Sequence, residues 1–261
     1  MAARAALESG NMVADFAVRI FRKDGEVRDV LIHAARSSLD GHPAVIAMSQ
    51  DISERKRSEA QIRAYLRQLK SSMHGTLSAV AKMLDFRDPY TAGHERRVGL
   101  ISAAIGKELE LSEESCEWLN WAGLVHDIGK ISVPAELLSK PTRLTALEYE
   151  MIKGHAQSGY EILKDIEFPM PVAEIARQHH ERIDGSGYPQ GLKGEEILQE
   201  ARILAVADVI ESMASHRPYR PGLGIDAALK ELDAHRGSYY DPAVVDALLR
   251  LIHEKGWQLP K

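Results

Sequence analysis

The chain has 261 residues, 44% of them hydrophobic, and a net charge of -5, which suits one large core or a main domain with a small appendage. Its lysines and arginines are scattered rather than clustered, so it lacks the electrostatic footprint of a duplex nucleic-acid binder, and no stretch reaches the roughly 18 apolar residues of a membrane span. The single cysteine, Cys116, has no internal disulfide partner and is expected as a core thiol in a reducing cytoplasm.

Residues 16–22 and 27–35 are rich in strand formers and flank Lys23-Asp24-Gly25-Glu26, which predicts a hairpin with an Asp-Gly turn. A third strand over 44–50 follows Asp40-Gly41. The run Asp51-Ile52-Ser53-Glu54-Arg55-Lys56-Arg57 then turns polar, and Ile62, Leu66, Leu69, Met73, Leu77, Val80 and Leu84 recur every three or four residues as one long amphipathic helix. Its stripe packs on its own domain in the simplest reading, and its upstream half is suited to pairing with a second chain, so a homodimer is expected. From residue 72 onward the pattern is helical almost throughout. Ser112 with Glu113 and Glu114 opens a helix that carries Trp118, Leu119, Ala122 and Val125 and delivers His126 and Asp127. Thr145 and Glu148 have capping-box spacing and open a helix that reaches His155. Asp241-Pro242 begins the last helix, and Gly256 stands where a left-handed cap is expected.

Seven residues carry the chemistry: His94, His126, Asp127, His155, His179, His180 and Asp208. Any one alone is ordinarily a hydrogen-bonded core residue or a solvated one; the joint pattern is what points to metals. Adjacent His126 and Asp127 diverge by about 100° on a helix, so they can approach a metal centre from two directions. Lys130 falls on the His126 face four residues later, where its ammonium can meet a phosphate oxygen. His179-His180-Glu181 repeats the adjacent pair, and Asp184-Gly185-Ser186-Gly187-Tyr188-Pro189 is a tight loop. Seven nitrogen and carboxylate ligands exceed the four of a structural zinc site and suit two metals sharing Asp127. Iron, manganese and zinc all fit, and no cysteine cluster selects zinc.

With Gly129-Lys130, Glu181, Gly187-Tyr188-Pro189 and the seven ligands in this order, the chain from residue 72 to its end resembles an HD-GYP domain of the HD superfamily. The segment before it, strand, Asp-Gly turn, strand, strand and Asp-Ile-Ser-Glu-Arg-Lys, resembles the C-terminal part of a PAS sensor domain running into its signalling helix. A three-stranded appendage that pairs with a partner chain is the alternative. The resemblance implies a mainly α fold: an HD-superfamily helical bundle preceded by a small antiparallel β segment (partial PAS) and a signalling helix. The expected divisions are 1–53, 54–71 and 72–261. It further implies that His94, His126, Asp127 and Asp208 hold one divalent metal, and that Asp127 reaches a second held by His155, His179 and His180. Iron or manganese is expected, with zinc the alternative. Asp127 and Lys130 would be catalytic, and Lys130, Arg217, Arg220 and Tyr188 would bind substrate. A third metal in some members uses a glutamate where this chain has Tyr90, so two are expected. Glu211 and His216 also depart from the usual wording. The implied activity is hydrolysis of cyclic di-GMP to linear pGpG or GMP in the cytoplasm, with signalling proteins as possible partners. Two readings stay open: another HD-superfamily nucleotide phosphohydrolase, and a non-catalytic cyclic di-GMP receptor or interaction module.

Overall fold

A computed structural model describes residues 12–87, 93–140, 142–215 and 223–260. The chain divides into two compact units, Met1–Ser72 and Met73–Lys261.

In the first unit, β1 (Val13–Phe21), β2 (Val27–Leu39) and β3 (His42–Asp51) form an antiparallel sheet in the order β1-β2-β3. Gly25 turns the first hairpin with a φ of 84°. The second hairpin runs further than its sequence pattern predicts, because Leu39 pairs with His42 across a two-residue turn. Asp40 and Gly41 there have φ of 51° and 79°, and two positive values match the twist of the flanking strands. Val30, Ala34 and Ile52 are buried. The polar run after β3 ties the next helix, α1 (Ser53–Arg87), to the sheet. Ser53 Oγ accepts the Asp29 N–H at 2.8 Å, and Lys56 Nζ lies 2.7 Å from Asp29 Oδ1. Along α1, Ile62, Leu66 and Leu69 are exposed, whereas Leu84 is buried.

The second unit is helical: after the end of α1 come α2 (His94–Glu108), α3 (Glu113–Val125), a 3-10 turn (Ile128–Ser132), α4 (Ala135–Leu138), α5 (Ala146–Leu163) and α6 (Val172–Gln178). A second 3-10 turn (Gly194–Glu196), α7 (Gln199–Ala214), α8 (Ile225–Ala234), α9 (Pro242–Leu249) and a π turn (Arg250–Glu254) complete it. The chain is thus mainly α with a small N-terminal sheet, as its patterning predicts. The caps form as read: Ser112 Oγ accepts the Ser115 N–H at 3.0 Å, Thr145 and Glu148 make the reciprocal capping box, and Asp241 Oδ1 accepts the Ala243 N–H at 2.8 Å beside Pro242. Gly256 is left-handed with a φ of 63°.

The core joins Val98, Ile101 and Ile105 of α2, Leu119 of α3, Ile175 of α6, Ile203, Leu204 and Ile210 of α7, and Leu248 of α9, all with no exposed area. Each such side chain contributes about 1.5–3 kcal/mol by leaving water. Helices α2 and α3 meet backbone to backbone, since a Cβ on Gly123 would lie 2.3 Å from Gly99 Cα. Cys116 is only half-buried, with its thiol 3.8 Å from the Leu111 carbonyl, rather than the core thiol expected. Among the described residues no helix is long and apolar enough to cross a membrane.

Candidate metal centre

Five separate segments deliver the predicted ligands. His94 is the first residue of α2, preceded by Gly93 in a left-handed conformation and anchored where Asp85 accepts the Gly93 N–H at 3.3 Å. His126 and Asp127 do not lie within a helix, as the 100° geometry supposes. Helix α3 ends at Val125, His126 caps it, and Asp127 opens the 3-10 turn. The turn packs directly on α5, because a Cβ on Gly129 would lie 1.9 Å from the His155 carbonyl oxygen. His155 sits inside α5, His179 caps α6 with His180 next, and Asp208 lies in α7.

These residues converge. Asp127, His155, His179 and His180 offer ligand atoms that lie within 4.8 Å of one another, and so do His94, Glu95, His126 and Asp127. Asp127 belongs to both sets. Asp208 joins them through Oδ1, 3.2 Å from His94 Nε2.

The histidine tautomers decide what such a cluster accepts. His126, His155 and His179 each place Nδ1 on the carbonyl three residues earlier, Gly123 at 2.8 Å, Ile152 at 2.7 Å and Ala176 at 2.6 Å. A carbonyl only accepts, so each Nδ1 carries a hydrogen, and each ring in its neutral form presents an Nε2 lone pair. Those lone pairs face acceptors: His155 Nε2 is 3.1 Å from Asp127 Oδ1 and 3.4 Å from His179 Nε2. His126 Nε2 and Asp127 Oδ1 are buried without a hydrogen bond. Converging lone pairs and carboxylates in a buried site require cations between them. The donor set therefore fits divalent metals.

Titration follows the same imbalance. Burial opposes charge on His94, but Asp208, Glu211 and Glu95 outweigh it and raise it to about 9. Burial likewise opposes charge on His126, yet Glu95 and Asp127 raise it to about 10. His179 is pushed down to about 3 by burial and by His126 beside it, and burial with His179 lowers His180 well below the usual range. Asp127 stays far below the carboxylate range, its burial outweighed by Lys130 and His126. Asp208 does so through His94.

A cleft of about 380 Å³ opens onto this cluster and is also lined by Lys130, Tyr149, Tyr188 and Ser212. Lys130 Nζ lies 2.6 Å from Asp127 Oδ2, so the ammonium is placed on the carboxylate by the 3-10 turn and not by a shared helical face. Tyr188 covers His180, ring centroids 4.7 Å apart and 31° from parallel. The loop that carries it is held by Glu181, whose carboxylate accepts the N–H groups of Gln190 at 2.7 Å, Gly191 at 3.2 Å and Leu192 at 3.1 Å. Gly187 has to be glycine, since a Cβ there would lie 2.4 Å from Glu181 Cα.

Three roles escaped the sequence reading. Glu95 enters the ligand cluster, and its place directly after His94 is the only signal for it. Glu181 stands inside a motif without revealing that it clamps a loop. Glu211, read only as a departure, accepts from His94 Nδ1. Arg217, Arg220, Tyr90 and His216 lie outside the described residues.

Comparison with known proteins places this geometry in a family. The HD domain model matches residues 78–244. The cyclic di-GMP phosphodiesterase response regulator RpfG of Xanthomonas campestris pv. campestris is 39% identical over 250 residues, covering 95% of this chain and 63% of that protein. The 3'3'-cGAMP-specific phosphodiesterase 3 of Vibrio cholerae is 35% identical over 213 residues, covering 80% of this chain and 46% of that one. The chain thus spans about half to two thirds of the length of these two relatives. Among solved structures, the HDG"Y"P protein Bd1817 from Bdellovibrio bacteriovorus shares the fold, with a TM-score of 0.53 at 17% identity over 92% of this chain and 94% of that one. With its ligand cluster inside the matched region and that region spanning most of the helical unit, the chain belongs to the HD domain family.

Proposed function

We propose that this chain is a phosphodiesterase that hydrolyses cyclic di-GMP to linear pGpG or GMP at a centre of two divalent metals. The observation that carries the reading is the convergence of Nε2 lone pairs on Asp127, a carboxylate common to both ligand sets. His94, His126, Asp127 and Asp208 would hold one ion, and Asp127, His155, His179 and His180 the other. Imidazole and carboxylate donors suit iron or manganese, with zinc the alternative. When bound, such ions lower the pKa of water and polarise phosphoryl oxygens.

The chain's own residues supply the rest. Asp127 is kept ionised by Lys130 and held between the two ligand sets, so neither set can be built without it. Lys130 borders the cleft and brings positive charge to a phosphate there, which a buried, preorganised site makes effective. Arg217 and Arg220 are assigned to substrate phosphate from their place in the motif. Tyr188 offers a ring face at the cleft, suited to a nucleobase. The substrate class rests on relatives whose names specify cyclic di-GMP and 3'3'-cGAMP phosphodiesterases. The cyclic dinucleotide substrate and the lone cysteine fit a cytoplasmic protein. We assign 1–53 as the C-terminal part of a PAS-like segment, 54–71 as a signalling linker that pairs in a homodimer, and 72–261 as the catalytic domain.

The test is anaerobic purification with metal analysis, then incubation with cyclic di-GMP or 3'3'-cGAMP and chromatography of the products. Two metals per chain with faster turnover of cyclic di-GMP is the expected result, and Asp127→Ala is expected to lose metal and abolish turnover. Preference for 3'3'-cGAMP would reassign the substrate within the class. Stable binding without product would leave a receptor, and wild-type turnover by Asp127→Ala would sink the bridging role.

A further inference from the structure

The two halves of the ligand cluster are backed by different chemistry. Behind His155 and His179, each Nδ1 rests on a neutral main-chain carbonyl. Behind His94 stands a carboxylate, and at His126, whose Nδ1 also meets the Gly123 carbonyl at 2.8 Å, a second carboxylate lies alongside. Glu211 Oε2 accepts from His94 Nδ1, and Glu95 Oε2 lies 2.9 Å from His126 Nδ1. Both glutamates are buried, Glu95 2% and Glu211 3% exposed, so water screens neither. Glu211 is also fixed in place, because its Oε1 accepts from Arg97 Nε at 2.6 Å and from Ser215 Oγ at 2.6 Å.

The charges are unequal as a result. Besides Asp127, which both halves share, the His94 side holds Asp208, Glu95 and Glu211 against Arg97, so three carboxylates less one guanidinium leave two negative charges. The other side holds three imidazoles, and the shared Asp127 with its Lys130 ammonium serves both halves alike. A carboxylate behind a ligating imidazole orients the ring and raises the basicity of its free nitrogen, whereas a carbonyl does so less.

We propose that Glu95 and Glu211 are positioning residues that make the metal position of His94, His126, Asp127 and Asp208 the tighter of the two. That position fills first, and the position of His155, His179 and His180 is the weaker, exchangeable one. The proposal rests on the two-metal reading above and adds an order of occupancy and the residues that set it.

Calorimetric titration of the metal-free full chain with Mn²⁺ tests it. The wild type is expected to take up two ions in two resolved steps. Glu211→Gln and Glu95→Gln, which keep the shape and remove the charge, are expected to weaken the tight step by about 10–100-fold and leave the weak one in place. His155→Ala is expected to lose the weak step and retain the tight one. This third variant keeps the test decisive if circular dichroism shows either glutamine variant unfolded. A general loss of structure would weaken both steps together. The proposal is overturned if the glutamine variants leave the tight step unchanged, if both steps fall equally, or if His155→Ala removes the tight step. Uptake of fewer than two ions by the wild type would instead strike the two-metal reading itself and take the order of filling with it.

Discussion

Glu148 shows how much a single side chain can carry at a helix start. Its carboxylate meets Lys140 Nζ at 2.7 Å and the Thr145 N–H at 2.8 Å, and the Lys140 hydrogen bond first, then Thr145, holds it down to about 2. A carboxyl group depressed on folding contributes stability that is fully present above its unfolded value and is lost as pH falls through the folded one. Glu148→Gln is therefore expected to melt below the parent at pH 7. The gap should close as pH drops from about 4.5 toward about 2 in a series of thermal melts. A gap independent of pH would assign the effect to packing. The same capping pair was legible from the spacing of Thr145 and Glu148, because a capping box is local. Glu211 was not legible, because the reason for it is His94, 117 residues away, and no local rule relates the two.

At the scale of elements, the loop between α6 and α7 depends on one buried anion. Removing Glu181 would leave three backbone N–H groups without their acceptor, each at a cost of about 1–3 kcal/mol where water cannot replace it. Glu181→Ala is expected to raise KM for a cyclic dinucleotide more than it lowers kcat, with metal content unchanged, because the N–H groups it holds belong to the segment after Tyr188, whereas the ligands sit in or at the ends of α2, α3, α5, α6 and α7. Equal metal loss would show that the loop also supports the ligands. In the second unit the helices that open at Ser112, Thr145 and Asp241 were readable from their caps. The ends that carry chemistry were not. Periodicity continues the α3 pattern through His126 and Asp127, whereas the chain breaks there into a 3-10 turn because Gly129 has to lie against the α5 backbone. An approach of two backbones leaves no periodic trace except the glycine itself.

For the whole molecule, the division of labour was visible in the sequence: alternating strands with Asp-Gly turns, then helical periodicity, with the five ligand histidines His94, His126, His155, His179 and His180 all in the helical part. The sheet is longer than its pattern indicated because the Asp40-Gly41 turn extends the ladder of β2 and β3 to its tip. What α1 does in the assembly was open in the sequence, since one apolar stripe serves either its own domain or a second chain. Ile62, Leu66 and Leu69 are 57%, 56% and 66% exposed, with the alternating spacing of four and three that a two-stranded seam uses. The full chain is expected to run as a dimer in sedimentation, and a version beginning at Met73 as a monomer that still binds metal. Equal oligomeric states for the two would remove the helix from the interface.

The contact of Gly99 with Gly123 has a mechanical meaning. Packed helices ratchet past one another when side-chain ridges can leave one groove for the next. Here two bare backbones touch, with no ridge to climb and no groove to fall into. Helices α2 and α3 are in effect riveted, five residues beyond His94 and three before His126. Any load that reaches one is borne by both, and the span between these two histidines becomes a gauge length machined into the main chain.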